Sequence, residues 1–222
     1  MRKVTKGCRT ACSFAILLAA ASAQPTSAAP AQEHVGKPVM LALDRLELVN
    51  RTATVVDGEI QLNAAPDAGL AWIAGVTLNQ GCLSLDVRGS NEFGRSFVGI
   101  AFRGVDRDTY DVVYARPFRF RSADPADAEH GLQYMSMPDY PWPVLREHSP
   151  GVYEASIGSA PDPNDWVHLV VRFRAGRMQA FVNGVAAPQL DLPLLTQVTA
   201  GRAALWVGNN SSGAFRNLRD CS

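Results

Sequence analysis

The sequence predicts an all-β sandwich, and three observations predict it. From Pro38 onward, short apolar or alternating runs recur, separated by Gly, Pro, Asn and Asp. No long stretch carries a helical period. Two-residue turn signals such as Asp57-Gly58 and Asn183-Gly184 border runs that alternate as strands do.

The first 23 residues stand outside that domain. Arg2, Lys3, Lys6 and Arg9 form a basic start without an acidic residue, and Ala11 to Ala21 (ACSFAILLAAA) is apolar. Ala21-Ser22-Ala23 then fits the small-x-small rule for signal cleavage. The apolar run is far shorter than the roughly 20 residues a membrane-spanning helix requires. The expectation is therefore an exported chain, secreted or periplasmic after cleavage, with no membrane span in the mature part. Residues 24–37 (QPTSAAPAQEHVGK) hold few apolar anchors and read as a flexible tether, leaving 38–222 as one domain.

Within the domain the strands follow in order. Thr54–Val56 and Glu59–Leu62 flank Asp57-Gly58, a hairpin signal. Gly81–Arg88 puts Leu83, Leu85 and Val87 on one face and Cys82, Ser84, Asp86 and Arg88 on the other. Phe97–Arg103 and Thr109–Arg116 are the next two strands. The proline-rich segment from Ser122 to Pro161 reads as a long loop region, the kind of place where sites sit on a β scaffold. Trp166–Arg174 turns through Ala175-Gly176 into Arg177–Val182, and Ala203–Val207 and Ala214–Cys221 close the chain.

Charge and cysteines narrow the function classes. The chain has 21 basic and 21 acidic residues, and removal of the signal takes four basic ones, leaving a mildly acidic mature protein. Such a surface has no electrostatic reason to seek nucleic acid. Cys82 and Cys221 are the two cysteines left after cleavage. In an oxidising compartment they can form one bridge, the other reading being two buried free thiols.

Asp165-Trp166-Val167-His168, Arg177 and Phe181-Val182-Asn183-Gly184 are similar to the W-x-H and F-V-N-G core of LamG-type domains. Gly201…Leu205-Trp206-Val207-Gly208 and Phe215-Arg216-Asn217-Leu218 resemble their final strands, and those of the 3-keto-disaccharide hydrolase family. Gly94–Phe118, Gly131–Ser136 and Tyr140-Pro141-Trp142 resemble a group of exported bacterial concanavalin A-like proteins. The resemblance spans most of the mature domain. It implies a concanavalin A-like jelly roll of two antiparallel sheets, with a glycan or oligosaccharide as partner. This fold hosts lectins, lyases and glycosidases alike, so activity does not follow from it.

Strand alternation places Tyr110, Val112, Tyr114 and Arg116 on one face, and Phe97, Gly99, Ala101 and Arg103 on the matching face of the neighbouring strand. Tyr114, Arg116 and Arg103, completed by Gln133, Tyr134 and Trp142, are the candidate sugar-binding residues. Aromatic faces pack on sugar C–H surfaces, and guanidinium forks bind hydroxyl pairs or carboxylates. The competing expectation is that the aromatics pack under the long segment while the arginines pair with Asp124 or Asp127. No catalytic residue is assigned. The glucanase string E-x-D-x-x-E is missing, and LSLDVRG offers Asp86 alone. A lyase would use Tyr114, Arg116, Gln133 and His130. His168 reads as a half-buried structural residue. Asp106, Asp108 and Asp111, and Asp162, Asn164 and Asp165, offer oxygen ligands of the kind calcium takes, though nothing here requires a cofactor. The expectation is glycan binding, with a lyase or glycoside hydrolase as the alternative and a structural adhesion module as a third.

Overall fold

A computed structural model of the chain describes Met1, residues 36–158 and residues 160–222. The predicted signal after Met1 and most of the predicted tether lie outside those residues. The end of the tether is described, and it joins the sandwich: Lys37–Pro38 (β1) pairs with Asp220 and Arg219. The Arg219 guanidinium also donates to the Gly36 carbonyl at 3.0 Å.

The chain continues through β2 (Leu46–Val49), β3 (Ala53–Val56), β4 (Glu59–Leu62), β5 (Gly69–Leu78) and β6 (Gly81–Arg88). Next come β7 (Val98–Gly104), β8 (Tyr110–Ala115), the short helix α1 (Pro125–Ala128), β9 (Leu132–Met137), the helix α2 (Trp142–His148) and β10 (Glu154–Ala155). β11 (Val167–Arg174), β12 (Arg177–Val182), β13 (Leu190–Pro193), β14 (Gly201–Val207) and β15 (Gly213–Asp220) complete it. The strands form two antiparallel sheets. One has eight strands, in the order β13-β12-β11-β6-β15-β4-β3 with β1 on β15; the other has seven, β10-β9-β8-β7-β14-β5-β2.

Local chemistry explains the hairpins. Asp57 and Gly58 both hold positive φ, 51° and 81°, between the paired Val56 and Glu59. Ala175 and Gly176 do the same, at 51° and 77°, between β11 and β12. Two positive φ values in a two-residue loop match the twist of the strands they join.

The core lies between the sheets. Leu83, Leu85 and Val87 of β6 and Leu169, Val171 and Phe173 of β11 face Val98, Ile100 and Phe102 of β7. Phe102 and Phe173 stack across the gap with ring centroids 4.8 Å apart. Burying each such side chain contributes about 1.5–3 kcal/mol. β6 and β15 are antiparallel neighbours, and Cys82 and Cys221 are bonded at their ends, Cα atoms 4.7 Å apart.

The expected loop from Ser122 to Pro161 is not one. It carries β9 and β10, which extend the seven-stranded sheet beyond β8, together with both helices. Prolines bound these elements rather than interrupt them: Pro125 opens α1, and Pro141 and Pro143 open α2. Among the described residues, no helix is long and apolar enough to cross a membrane.

Candidate functional site

The seven-stranded sheet has a second apolar layer on the face turned away from the core. It contains Trp72, Ala101, Tyr110, Val112, Tyr114, Met135 and Trp206, and Leu145 pins α2 onto it. One rung organises this face. Trp206 pairs with Gly99, Gly99 with Tyr114, Tyr114 with Gln133, and Gln133 with Glu154, so five strands place these residues in one row. Gly99 has no side chain, and Tyr114 and Trp206 meet over it with ring centroids 4.8 Å apart.

At the Glu154 end the row is polar. Arg116, just after β8, reaches over β9: Nη1 donates to Glu154 Oε1 at 2.8 Å and to the His130 carbonyl at 2.9 Å. Its Nη2 donates to the Tyr114 hydroxyl at 2.9 Å and to Gln133 Oε1, which also accepts from the Tyr114 hydroxyl at 2.7 Å. Arg146 of α2 donates to both Glu154 oxygens, Nε to Oε2 at 3.2 Å. His130 Nδ1 lies 3.0 Å from Glu154 Oε2 but outside hydrogen-bond geometry. Burial alone would push the Glu154 carboxyl up; the hydrogen bonds from Arg146, with the charge and hydrogen bonds of Arg116, outweigh that and hold it below the usual range. Burial pushes the Tyr114 hydroxyl up to about 12.

Tyr114, Arg116 and Gln133 therefore converge, but as a buried layer rather than as the contact surface expected of them. Arg116 pairs with Glu154, not with Asp124 or Asp127; Asp127 is taken by Arg119. The accessible part of the site lies on α2. Trp142 is 46% exposed, and the Arg146 guanidinium lies over its ring, 5.0 Å from the centroid. A cation on an indole face is attracted by the ring quadrupole, which fixes both side chains.

Arg103, placed by alternation, and Tyr134, expected in the adjoining loop region, both lie elsewhere. The pairing of β7 with β14 slips between Ala101 and Gly104, and Arg103 holds φ of 52°, so the bulge turns Arg103 off its expected face. Its Nε sits 3.9 Å from Asp111 Oδ2. Tyr134 packs in the core between the sheets, where its hydroxyl donates to Asp111 Oδ1 at 2.9 Å and accepts from the Leu195 amide at 3.1 Å. Burial, opposed by hydrogen bonds from Ser136 and Tyr134 and by the Arg103 charge, pushes the Asp111 carboxyl up to about 6.

Two further acidic groups were candidates. Asp86 is on the outward face of the other sheet, where it meets His168 Nδ1 at 2.7 Å, Asn217 Nδ2 at 2.7 Å and Arg216 Nε at 3.3 Å. Arg88 and Arg216 lie over the Trp166 ring beside it, at 4.5 and 4.1 Å. The acidic turns offered for calcium are spent on their own backbone: Asp106 accepts from the amides of Asp108 and Thr109, and Asp162 from that of Asn164. Among the described residues, no group of three or more His, Cys, Asp or Glu side chains is placed to hold a metal ion.

Sequence reasoning missed Glu154 and Arg146. Glu154 stands on a two-residue strand, and its partners come from β8, α2 and the approach to β9, so no spacing along the chain signals it.

No family model matches the sequence, and no curated protein matches it. Among solved structures the chain is similar to the carbohydrate-binding module CBM66 from Bacillus subtilis. The two are 14% identical over 80% of this chain and 96% of that one, with a TM-score of 0.59. A Bacillus subtilis protein of unknown function with a galectin-like fold is 11% identical over 80% of this chain and 89% of its own, at 0.55. A glycosidic hydrolase is 12% identical over 82% of this chain and 94% of its own, at 0.53. At these identities the likeness establishes the fold: a jelly-roll β-sandwich of two antiparallel sheets.

Proposed function

We propose that this protein binds a glycan on the outward face of the seven-stranded sheet, beside α2. Trp142 serves as the platform for a sugar ring and Arg146 as the neighbouring donor. The Glu154–Arg116–Gln133–Tyr114 cluster beneath them is a rigid support. The observation that carries this is the chain of contacts from an exposed indole into a buried network: Arg146 covers Trp142 and is itself clamped by Glu154. An exposed aromatic held by a buried ion-pair network is preorganised, which lowers the entropic cost of binding. The solved module that shares the fold is one that binds carbohydrate. In the same proposal the chain acts after export, in the periplasm or outside the cell, as its basic start, apolar run and Ala21-Ser22-Ala23 suggest.

Kinship with LamG-type domains is part of the proposal too. Most of the strings that suggest it lie on the opposite sheet, where Trp166 holds two arginines and the Asn183 side chain accepts from the His168 amide; Gly201–Val207 is β14 of the site's own sheet. They speak for architecture rather than for the site.

A lyase or hydrolase would need a proton donor or base facing the same surface. Glu154 is held ionised between two guanidiniums, and Asp111 lies on the inner side of the sheet. A glycan array, followed by incubation of each ligand found, separates binder from enzyme. Binding without new reducing ends or unsaturated products is expected, and Arg116→Ala should weaken it by about 1.5–3 kcal/mol through loss of the support. Turnover lost in Glu154→Gln would establish the enzyme instead, and neither binding nor turnover would favour an adhesion module.

A further inference from the structure

Resting on that glycan-binding reading, we infer that the ligand is acidic: a saccharide bearing a carboxylate or a sulfate ester, its anion seated against Arg146 above the buried cluster.

The inference comes from a mismatch of donors and acceptors. Two guanidiniums share a single carboxylate: Glu154 Oε1 takes both Arg116 Nη1 and Arg146 Nη2, and Oε2 takes Arg146 Nε with His130 Nδ1 beside it. The cluster thus keeps one positive charge in excess.

The Gln133 amide points the same way. Arg116 Nη2 can only donate, so the Gln133 atom that faces it and the Tyr114 hydroxyl is the oxygen. Nε2 is then turned from both, and it has no hydrogen-bond partner although Gln133 is fully buried. A buried amide N–H₂ without an acceptor is unfavourable, so the cluster is short of acceptors and rich in donors. Gln133 Oε1, the Tyr114 hydroxyl and both Glu154 oxygens each accept a hydrogen bond, whereas the Gln133 Nε2 donor has no partner. A neutral sugar brings hydroxyls that both donate and accept, whereas a carboxylate or sulfate only accepts and also neutralises the excess charge. Trp142, under Arg146, places the ring that carries the anion.

The test uses matched pairs: oligogalacturonate, oligomannuronate and oligoglucuronate, each as free acid and as neutral methyl ester, with a sulfated galactan as a further arm. Titration of the intact protein should show at least one acid binding roughly tenfold or more tighter than its ester, as a charge-assisted hydrogen bond implies. A preference confined to the sulfated arm would assign the anion as sulfate. Rising salt should weaken the acid and leave the ester unchanged. Arg146→Gln should weaken the acid far more than the ester, so that the two bind alike. Gln133→Glu, which supplies the missing acceptor from the protein itself, should erase the acid preference as well. Equal affinity for acid and ester, or a preference that survives in both variants, overturns the inference. Failure of every acidic probe while the array shows a neutral glycan overturns it and leaves the glycan-binding proposal standing. Failure of every glycan sinks both.

Discussion

Arg116 and Glu154 are ion-paired at 2.8 Å across an intervening strand, and both side chains are almost fully buried, at 6% and 3% exposure. Arg116 follows β8 and Glu154 lies on β10, so the pair bridges β9 and fastens the outer edge of the seven-stranded sheet. In doing so it fixes the floor on which α2 rests.

Glu154→Gln removes the one carboxylate that, among the described residues, contacts Arg116, and leaves that guanidinium buried without a counter-charge. Breaking one side of a buried pair costs about 3–5 kcal/mol. Urea denaturation should show that loss as a lower midpoint with an unchanged slope. A loss below about 1 kcal/mol would mean the pair is hydrated in solution.

Asp111 behaves in the opposite sense. Burial is the largest influence and raises its carboxyl from 3.8 to about 6 in the folded chain. The folded state then holds this proton more tightly than the unfolded state. Its contribution is complete below about pH 4 and is lost as pH rises to about 6. Asp111→Asn should accordingly gain on the wild type between pH 4 and 7, by roughly 3 kcal/mol at most, with the gap constant above that. Melting curves across this range that run parallel for the two proteins would contradict it.

The bond between Cys82 and Cys221 closes a loop of 139 residues and ties the end of β15 to the start of β6. Loop closure of this kind stabilises by roughly 2–4 kcal/mol, through restriction of the unfolded chain. Reduction, or Cys221→Ser, should lower the unfolding midpoint accordingly and leave the proposed glycan site intact, because that site lies on the other sheet. Unchanged stability on reduction would show that the unfolded chain gains nothing from the constraint.

How far the fold was legible depended on where a residue's neighbours come from. β6 and β12 run over the very residues that alternation marked, because Leu83, Leu85 and Val87 repeat with the strand period and Ala175-Gly176 punctuates the hairpin. β9 was hidden by Pro138 and Pro141 close behind it, although Leu132, Tyr134 and Ser136 face the core side in regular alternation. Arg103 was assigned to the wrong face because a bulge breaks the period, and no residue type there announces it. Tyr114, Arg116 and Gln133 were found because paired strands bring them to one rung and its edge. Glu154 and Arg146 were not, because they reach that cluster from a two-residue strand and a helix that only the folded chain brings near.

The central claim is that a glycan docks on Trp142. Calorimetric titration of the array's best ligand into wild type, Trp142→Ala and Trp166→Ala tests it most directly. Trp166 lies on the other sheet and serves as the control. Removing a stacking indole should weaken binding by about 1–3 kcal/mol, a fall of roughly five- to two-hundredfold. Trp142→Ala should therefore lose most of the affinity while Trp166→Ala keeps it. Equal affinity in wild type and Trp142→Ala, or loss in Trp166→Ala alone, would contradict the account and move the site to the opposite sheet.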